Sequence, residues 1–154
     1  MDLSTFYAVV AATCFTLVGL WWNVVAGHTE WHTDAQARRE AGGVYLSFLL
    51  PGMMAVLAQV SPTTPAVWRC SFGLAALVGT WSTVSLLRNP TAPAGPFGRY
   101  RWGVVVLYLL VLLLALVPDT ASVVGLRPLE AGGLLLVLLV AAAHALTWEF
   151  MLSG

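Results

Sequence analysis

The sequence contains few charged residues and no lysine. Only 9% of its 154 residues are Asp, Glu, Lys or Arg, whereas a soluble domain carries about a quarter. So few charges cannot cover a surface in water, so we expect lipid to surround most side chains. Without lysine, no Schiff base with retinal or pyridoxal can form, and a lysine-containing phosphate loop is excluded.

Motifs of catalysis and metal binding are also scarce. The two cysteines, Cys14 and Cys70, lie in apolar stretches without a C-x-x-C motif, which favours small buried side chains. There is no G-x-S-x-G, no H-E-x-x-H and no pair of carboxylates inside an apolar stretch. We therefore expect no enzymatic activity, cofactor or metal. The formal net charge of zero gives no reason to expect a nucleic-acid partner.

Five apolar stretches are long enough to cross a bilayer, and apolar residues make up 59% of the chain. Each must be helical in lipid, because unpaired backbone groups there cost several kcal/mol. The sequence therefore predicts an all-α membrane bundle in one domain, 1–154, without a cleaved signal peptide. The predicted spans are 5–26, 44–60, 66–87, 102–117 and 131–152. Proline-rich breaks at 61–65 and 89–96 are predicted loops.

The arginines predict the orientation of the chain. Five fall in or beside the first and third loops and two on the opposite side, namely Arg38, Arg39, Arg88, Arg99 and Arg101 against Arg69 and Arg127. By the positive-inside rule the N-terminus is outside and the C-terminus is cytoplasmic. We expect the plasma (inner) membrane of a bacterium. Four tryptophans near cytoplasmic span ends fit an interfacial belt: Trp21, Trp22, Trp102 and Trp148.

Two spans carry a face of small and polar residues. The first has Thr5, Ala8, Ala12, Thr16, Gly19, Asn23 and Ala26, and the third has Arg69, Gly73, Ala76, Thr80 and Thr83. Their helical spacing suits either close packing between helices or the wall of a hydrated pathway. The fourth span is aliphatic all round except Tyr108, so we expect it at the periphery, facing lipid.

A few residues inside or beside the spans could carry chemistry. Arg69 could extend to the interface, contact an anion or pair with Glu130 or Asp119. His144 lies near the middle of the fifth span with Trp148 four residues later, an arrangement that could sense pH. Its alternative is a neutral histidine bonded to a neighbouring helix.

The first loop is the longest polar segment. Thr33 and Gln36 fit a capping box, which predicts a helix that begins there and runs into the second span. The histidines and acids of segment 28–34 could hold zinc, but their spacing matches no structural-zinc pattern, and we predict no metal site.

These observations predict an oligomeric channel or small transporter for an ion or small solute. Candidate pathway residues are Thr16, Gly19, Asn23, Arg69, Thr80 and Thr83, and the pH-sensing candidates are His144 and Trp148. The expected partners are the lipid bilayer and further copies of the chain. One alternative is a non-conducting assembly subunit whose small-residue faces bind partner helices. Another is a binder of a lipophilic ligand inside the bundle.

Overall fold

The chain folds into a bundle of long α-helices. A computed structural model describes residues 2–60, 63–88 and 98–153, except the side chains of 98–100 and 152–153. The helices are α1 Leu3–Gly27, α2 Ala35–Val60, α3 Pro65–Leu87, α4 Gly98–Leu116 and α5 Pro128–Ser153, with 3-10 segments at Thr29–His32 and Pro118–Val124. These ranges contain no strand, which confirms the all-α prediction. The predicted loop at 89–96 lies outside the described residues, as do residues 61 and 62 of the break at 61–65, whose last residue, Pro65, begins α3.

Four of the helices, α1, α2, α3 and α5, are long and apolar enough to cross a membrane. Helix α4 has 19 residues, or about 28 Å at 1.5 Å per residue, close to the hydrocarbon thickness of about 30 Å. It counts as a fifth candidate only together with the 3-10 segment Pro118–Val124, which bends away from it by 112°. The structure thus supports a membrane protein with four or five candidate spans.

Side-chain caps fix the beginning of the first two helices. Asp2 accepts a hydrogen bond from the backbone N–H of Thr5 at 2.7 Å, and this bond holds the pKa of Asp2 below its usual value. Helix α2 begins in the first loop, as predicted, but the capping box is wrong. Asp34, not Thr33, accepts from the N–H of Gln36 at 2.8 Å, and the Gln36 side chain donates forward to Glu40 at 2.6 Å.

The helices pack as two antiparallel pairs, α1 with α2 and α3 with α4, and α5 contacts α1, α2 and α4. One apolar cluster fills the part of the bundle nearest the N-terminus of α1, and its fully buried members include Tyr7, Met54, Phe72, Val111 and Leu136. A second cluster joins α1, α2 and α5 toward the other end, with Val18, Trp21, Val44, Phe48 and Ala143. The site described below lies beside the second cluster.

The expectation that the fourth span is peripheral on all sides is wrong. One face of α4 is buried, with Val104, Tyr108, Val111 and Ala115 in the core, while Leu109 and Leu113 are exposed. The sequence does not reveal the buried face of α4, because lipid and a protein core are equally apolar. An aliphatic helix therefore shows no difference in polarity between its two faces.

Glycine allows close approach where aromatic rings cross α5. A Cβ built at Gly132 would lie 2.7 Å from Phe72 Cε2 and 3.2 Å from the Tyr7 hydroxyl. That hydroxyl donates to the carbonyl of Leu129 at 2.6 Å. The Gly132 position therefore ties α1 and α3 to the beginning of α5.

The first prediction concerns this contact. Gly132→Ala should lower the free energy of unfolding by about 1–3 kcal/mol, because the fully buried Phe72 ring has no space to move. Gly103→Ala is the control, since a Cβ there meets nothing within 4 Å. Reversible unfolding in a mixed-micelle detergent titration measures both. Equal stability of the two variants would contradict the packing described.

Candidate functional site

A cavity of about 260 Å³ opens at the end of the bundle where α2 begins, α3 ends and α4 begins. Its walls come from the first half of α2, the second half of α3, the beginning of α4 and the end of α5. The lining combines polar and apolar side chains. The residues are Glu40, Gly43, Val44, Leu46, Ser47, Leu50, Gly79, Ser82, Thr83, Leu86, Arg101, Val104, Tyr108, Leu146, Glu149 and Phe150.

Three half-buried charged residues lie in the cavity wall, and each belongs to a different helix. They are Glu40 on α2, Arg101 on α4 and Glu149 on α5. Glu40 accepts from Gln36. Arg101 and Glu149 form neither a hydrogen bond nor an ion pair with any other residue that the structure describes. Two carboxylates and one guanidinium leave the cavity wall with one net negative formal charge.

Tyr108 lies deeper and has a hydroxyl without a protein partner. The residue is 2% exposed, and its hydroxyl bonds to no other part of the described chain. The ring packs flat on α3 at Gly79, where any Cβ would overlap it. Gly79 thus makes the space in which Tyr108 crosses from α4 to α3.

The other hydroxyls of the cavity are bonded within their own helices. Thr83 donates to the Gly79 carbonyl at 2.8 Å, and Ser47 donates to the Val44 carbonyl at 2.7 Å. Pro51 lies inside α2 and is buried. Because proline has no N–H, the carbonyl of Ser47 loses its usual helical partner and adds an acceptor in this part of α2.

Toward the opposite membrane face the cavity ends at tightly packed apolar residues. Met54, Phe72, Val111 and Leu136 have no exposed surface, and they belong to the same cluster as Tyr108. The cavity therefore opens at one end of the bundle, and this apolar cluster separates it from the other end.

The small and polar face of the first span points away from the bundle. All seven of its residues are exposed, and a Cβ at Gly19 meets nothing within 4 Å. Thr16 donates to the Ala12 carbonyl at 2.8 Å, and Asn23 donates to the Gly19 carbonyl at 3.1 Å. Helix α1 instead buries the opposite face, which carries Tyr7, Ala11, Cys14, Val18 and Trp21.

The corresponding face of the third span points inward. Ala76 is buried, a Cβ at Gly73 would meet Ala115 at 3.9 Å, and Thr83 lines the cavity. Thr80 places a buried hydroxyl oxygen where no hydrogen-bond partner is found among the described residues. Of the six predicted pathway residues, Thr83 is the one that lies at the cavity.

Arg69 binds the end of the neighbouring helix. Its Nε donates to the Ala115 carbonyl at 2.7 Å and an Nη donates to the Leu116 carbonyl at 2.8 Å. These are carbonyls of the last turn of α4, which have no partner within the helix. The positive charge also suits the negative end of the helix dipole. An ion pair with Glu130 or Asp119 is not formed within the described chain.

His144 and Trp148 do not act as a pair in this structure. The His144 Nδ1 lies 2.8 Å from the Val140 carbonyl, and its ring meets the Phe48 ring edge at a centroid distance of 5.3 Å. Trp148 is 67% exposed, and no ring contact joins it to His144 in the part of the chain described. The pH-sensing role stays a prediction.

The first loop is held by aromatic stacking. His28 stacks on Trp31 with centroids 4.3 Å apart, and Trp31 contacts Trp21 and Phe150. Trp21 is buried and donates from Nε1 to the Ala41 carbonyl at 3.1 Å, so its assignment to the interfacial belt is wrong. No group of three His, Cys, Asp or Glu that could hold a metal is present within residues 2–60, 63–88 and 98–153.

Sequence reasoning missed the cavity. Glu40, Arg101 and Glu149 each lie near a span end, where a charged side chain is ordinary, and only the packing of four helices brings them to one place. Tyr108, a single polar group in an aliphatic span, was the one indication in the sequence.

The sequence matches no protein-family model, and neither a curated protein nor a solved structure is significantly similar to it.

The second prediction concerns Arg69. Arg69→Met should lower the free energy of unfolding by about 2 kcal/mol, because it removes charged hydrogen bonds to carbonyls that have no other partner. Arg69→Lys keeps the charge but not the two-pronged geometry, so it should lose less. Detergent-titrated unfolding compares the three proteins. A methionine variant as stable as the original chain would show that α4 does not need this cap.

Proposed function

We propose that this membrane protein is a small transporter that takes a small amphipathic solute into the cavity between α2, α3, α4 and α5. One observation carries the proposal: Arg101, Glu149 and the Tyr108 hydroxyl, which bond to nothing in the described part of the chain, converge in one cavity of an apolar bundle. Each charged group lies near a span end, where a single charge is ordinary, so it is their convergence with Tyr108 in one cavity that indicates a solute site. A concave site with apolar walls and few convergent polar groups is also the usual form of a small-molecule site.

The cavity suggests the chemistry of the solute. Its wall has two carboxylates against one guanidinium, which favours a positive charge on the ligand. Tyr108 and Phe150 add aromatic rings that attract cations, and Val44, Leu46 and Leu146 suit an apolar portion. We propose that the solute is an organic cation with a small apolar group. Such a solute is also compatible with the hypothesis of a lipophilic ligand inside the bundle.

Transport through one subunit requires a rearrangement, because the apolar cluster closes the cavity from the other membrane face. This favours a transporter that changes conformation over a permanently open channel. Within the proposal, Thr83 of the third span lines the pathway. Thr16, Gly19 and Asn23 could contribute only at a contact between subunits. The proposal assigns no enzymatic step or cofactor and places the protein in the plasma (inner) membrane, with the cavity mouth at the cytoplasmic face.

The third prediction uses two probes of similar size and opposite charge. Liposomes that contain the protein should take up benzyltrimethylammonium faster than benzenesulfonate. Glu149→Gln should slow uptake of the cation about tenfold, the loss expected for one charged contact of about 1.4 kcal/mol. Glu30→Gln is the matched control, because Glu30 is exposed at the same end and does not line the cavity.

Three results would contradict the proposal: no uptake of either probe, equal uptake of both, or equal slowing by the two Glu→Gln variants. The third result would assign the charge effect to the membrane surface and not to the cavity. Circular dichroism and unfolding of each variant check that the fold is retained.

The outward face of α1 favours a second candidate function, that of a non-conducting assembly subunit. Small residues let helices approach closely in lipid, and here a full row of them is exposed on one helix. The Thr16 hydroxyl and one amide N–H of Asn23 donate within their own helix, which lowers the cost of exposing this face to lipid and leaves it free to pack on another helix. The same face would serve a homo-oligomeric transporter, so assembly and uptake are tested separately.

The fourth prediction compares two open glycines. Gly19 and Gly103 are both exposed, and a Cβ at either meets nothing within 4 Å, so a leucine at either position should extend away from the subunit. If α1 is the contact face, Gly19→Leu should convert oligomers to monomers in nanodiscs, and Gly103→Leu should not. Single-molecule photobleaching counts the subunits. A monomeric original chain, or equal behaviour of the two variants, would remove α1 as an interface. If the protein forms oligomers but takes up neither probe of the third prediction, the result would favour a non-conducting assembly subunit.

A further inference from the structure

We propose that the groove between α2 and α3 binds the phosphate head group of an anionic phospholipid through Arg38 and Arg39. This site lies on the outer surface of the bundle and is separate from the solute site proposed above. It does not depend on transport.

The groove adjoins the cavity and shares part of its wall. Gly43, Leu46, Ser82 and Leu86 line both. Leu86 of α3 lies directly over Gly43 of α2, because a Cβ at Gly43 would come within 2.8 Å of the Leu86 Cδ1. The two helices are thus in close contact at this level, and the groove lies beside that contact.

The charge in the groove is positive and unpaired. Arg38 and Arg39 line it, and no carboxylate does. Arg38 has one long hydrogen bond, 3.4 Å to the His32 carbonyl, and Arg39 has no bonded partner among the described residues. Most donors of the two guanidinium groups are therefore available. A phosphate diester offers acceptors that match their fork geometry.

Exposed aromatic residues place the groove at the depth of the lipid head groups. Trp22 is 60% exposed and packs edge-on against Tyr45, with ring centroids 5.8 Å apart, and Tyr45 lines the groove. Trp81 is 79% exposed and precedes Ser82, another groove residue. Such rings mark the membrane interface. Arg39 lies six residues before Tyr45 on α2, or about 9 Å nearer the water along the helix.

A phospholipid matches this order of groups better than a soluble anion. Its phosphate meets the arginines, and its glycerol region and the beginning of an acyl chain lie along the mixed wall of Ser82, Ser85, Leu46 and Leu86, nearer the middle of the bundle. Basic grooves between membrane helices bind anionic head groups in this way. Free phosphate would use the arginines alone and leave the apolar wall uncovered.

The fifth prediction is tested by lipid binding to the intact chain. Native mass spectrometry of protein from vesicles of phosphatidylcholine and phosphatidylglycerol in equal parts should show preferential retention of phosphatidylglycerol. Each arginine near an anionic head group contributes about fivefold in affinity. Arg39→Gln should therefore weaken retention about fivefold, and R38Q/R39Q about thirtyfold. Arg127→Gln is the control, since this exposed arginine lies at the other end of the bundle.

Equal retention of the two lipids by the original chain would overturn the proposal, as would an undiminished preference in R38Q/R39Q or an equal loss in R127Q. Inorganic phosphate, added to protein in pure phosphatidylcholine, separates the two sources of phosphate. It should leave the unfolding temperature unchanged, and a rise as large as that caused by phosphatidylglycerol would identify a soluble anion as the ligand. Because Arg39 is exposed, the single variant keeps the test valid if the double variant folds poorly.

Discussion

In hydrocarbon a polar group has no water to bond, and this constraint accounts for most of the side-chain geometry of the protein. Thr16, Asn23, Thr83 and Thr147 each donate to the carbonyl four residues earlier in their own helix, and His144 lies against Val140 in the same way. A polar residue that is satisfied locally can face lipid at little cost. Its presence on a helix therefore does not show which face is buried.

The cavity is distinguished by polar groups that are not satisfied in this way. Arg101, Glu149 and the Tyr108 hydroxyl have no partner in the described chain, and all three lie in the wall of one cavity. Arg69 shows the contrast: it is also a charged residue on a predicted span, but the carbonyls at the end of α4 use its donors. This difference in pairing separates a structural arginine from a candidate binding residue.

Two further features lie on the outer surface of the bundle. The small-residue face of α1 is exposed along its length, and the groove between α2 and α3 holds arginines without acidic partners. The first suits a protein helix and the second a lipid head group. The cavity and the groove share the wall formed by Gly43 and Leu86.

The sequence by itself determined that the protein is helical, that lipid is expected to surround it, and where nearly all of its helices lie. Hydrophobic length and proline are local properties, and lipid requires every span to satisfy its own backbone. The first-loop cap was misassigned by one residue, because Thr33 and Asp34 are both able to cap and only the backbone geometry selects between them.

Only the tertiary structure decided which helix faces pack against one another. Small side chains on α1 and aliphatic ones on α4 are equally compatible with lipid and with a core, so polarity could not predict that α1 would expose Thr16 or that α4 would bury Tyr108. The cavity depends on four helices that bring Glu40, Arg101 and Glu149 together across long separations in sequence. No local sequence pattern predicts that these three side chains lie together, because their positions depend on how large side chains pack elsewhere in the bundle.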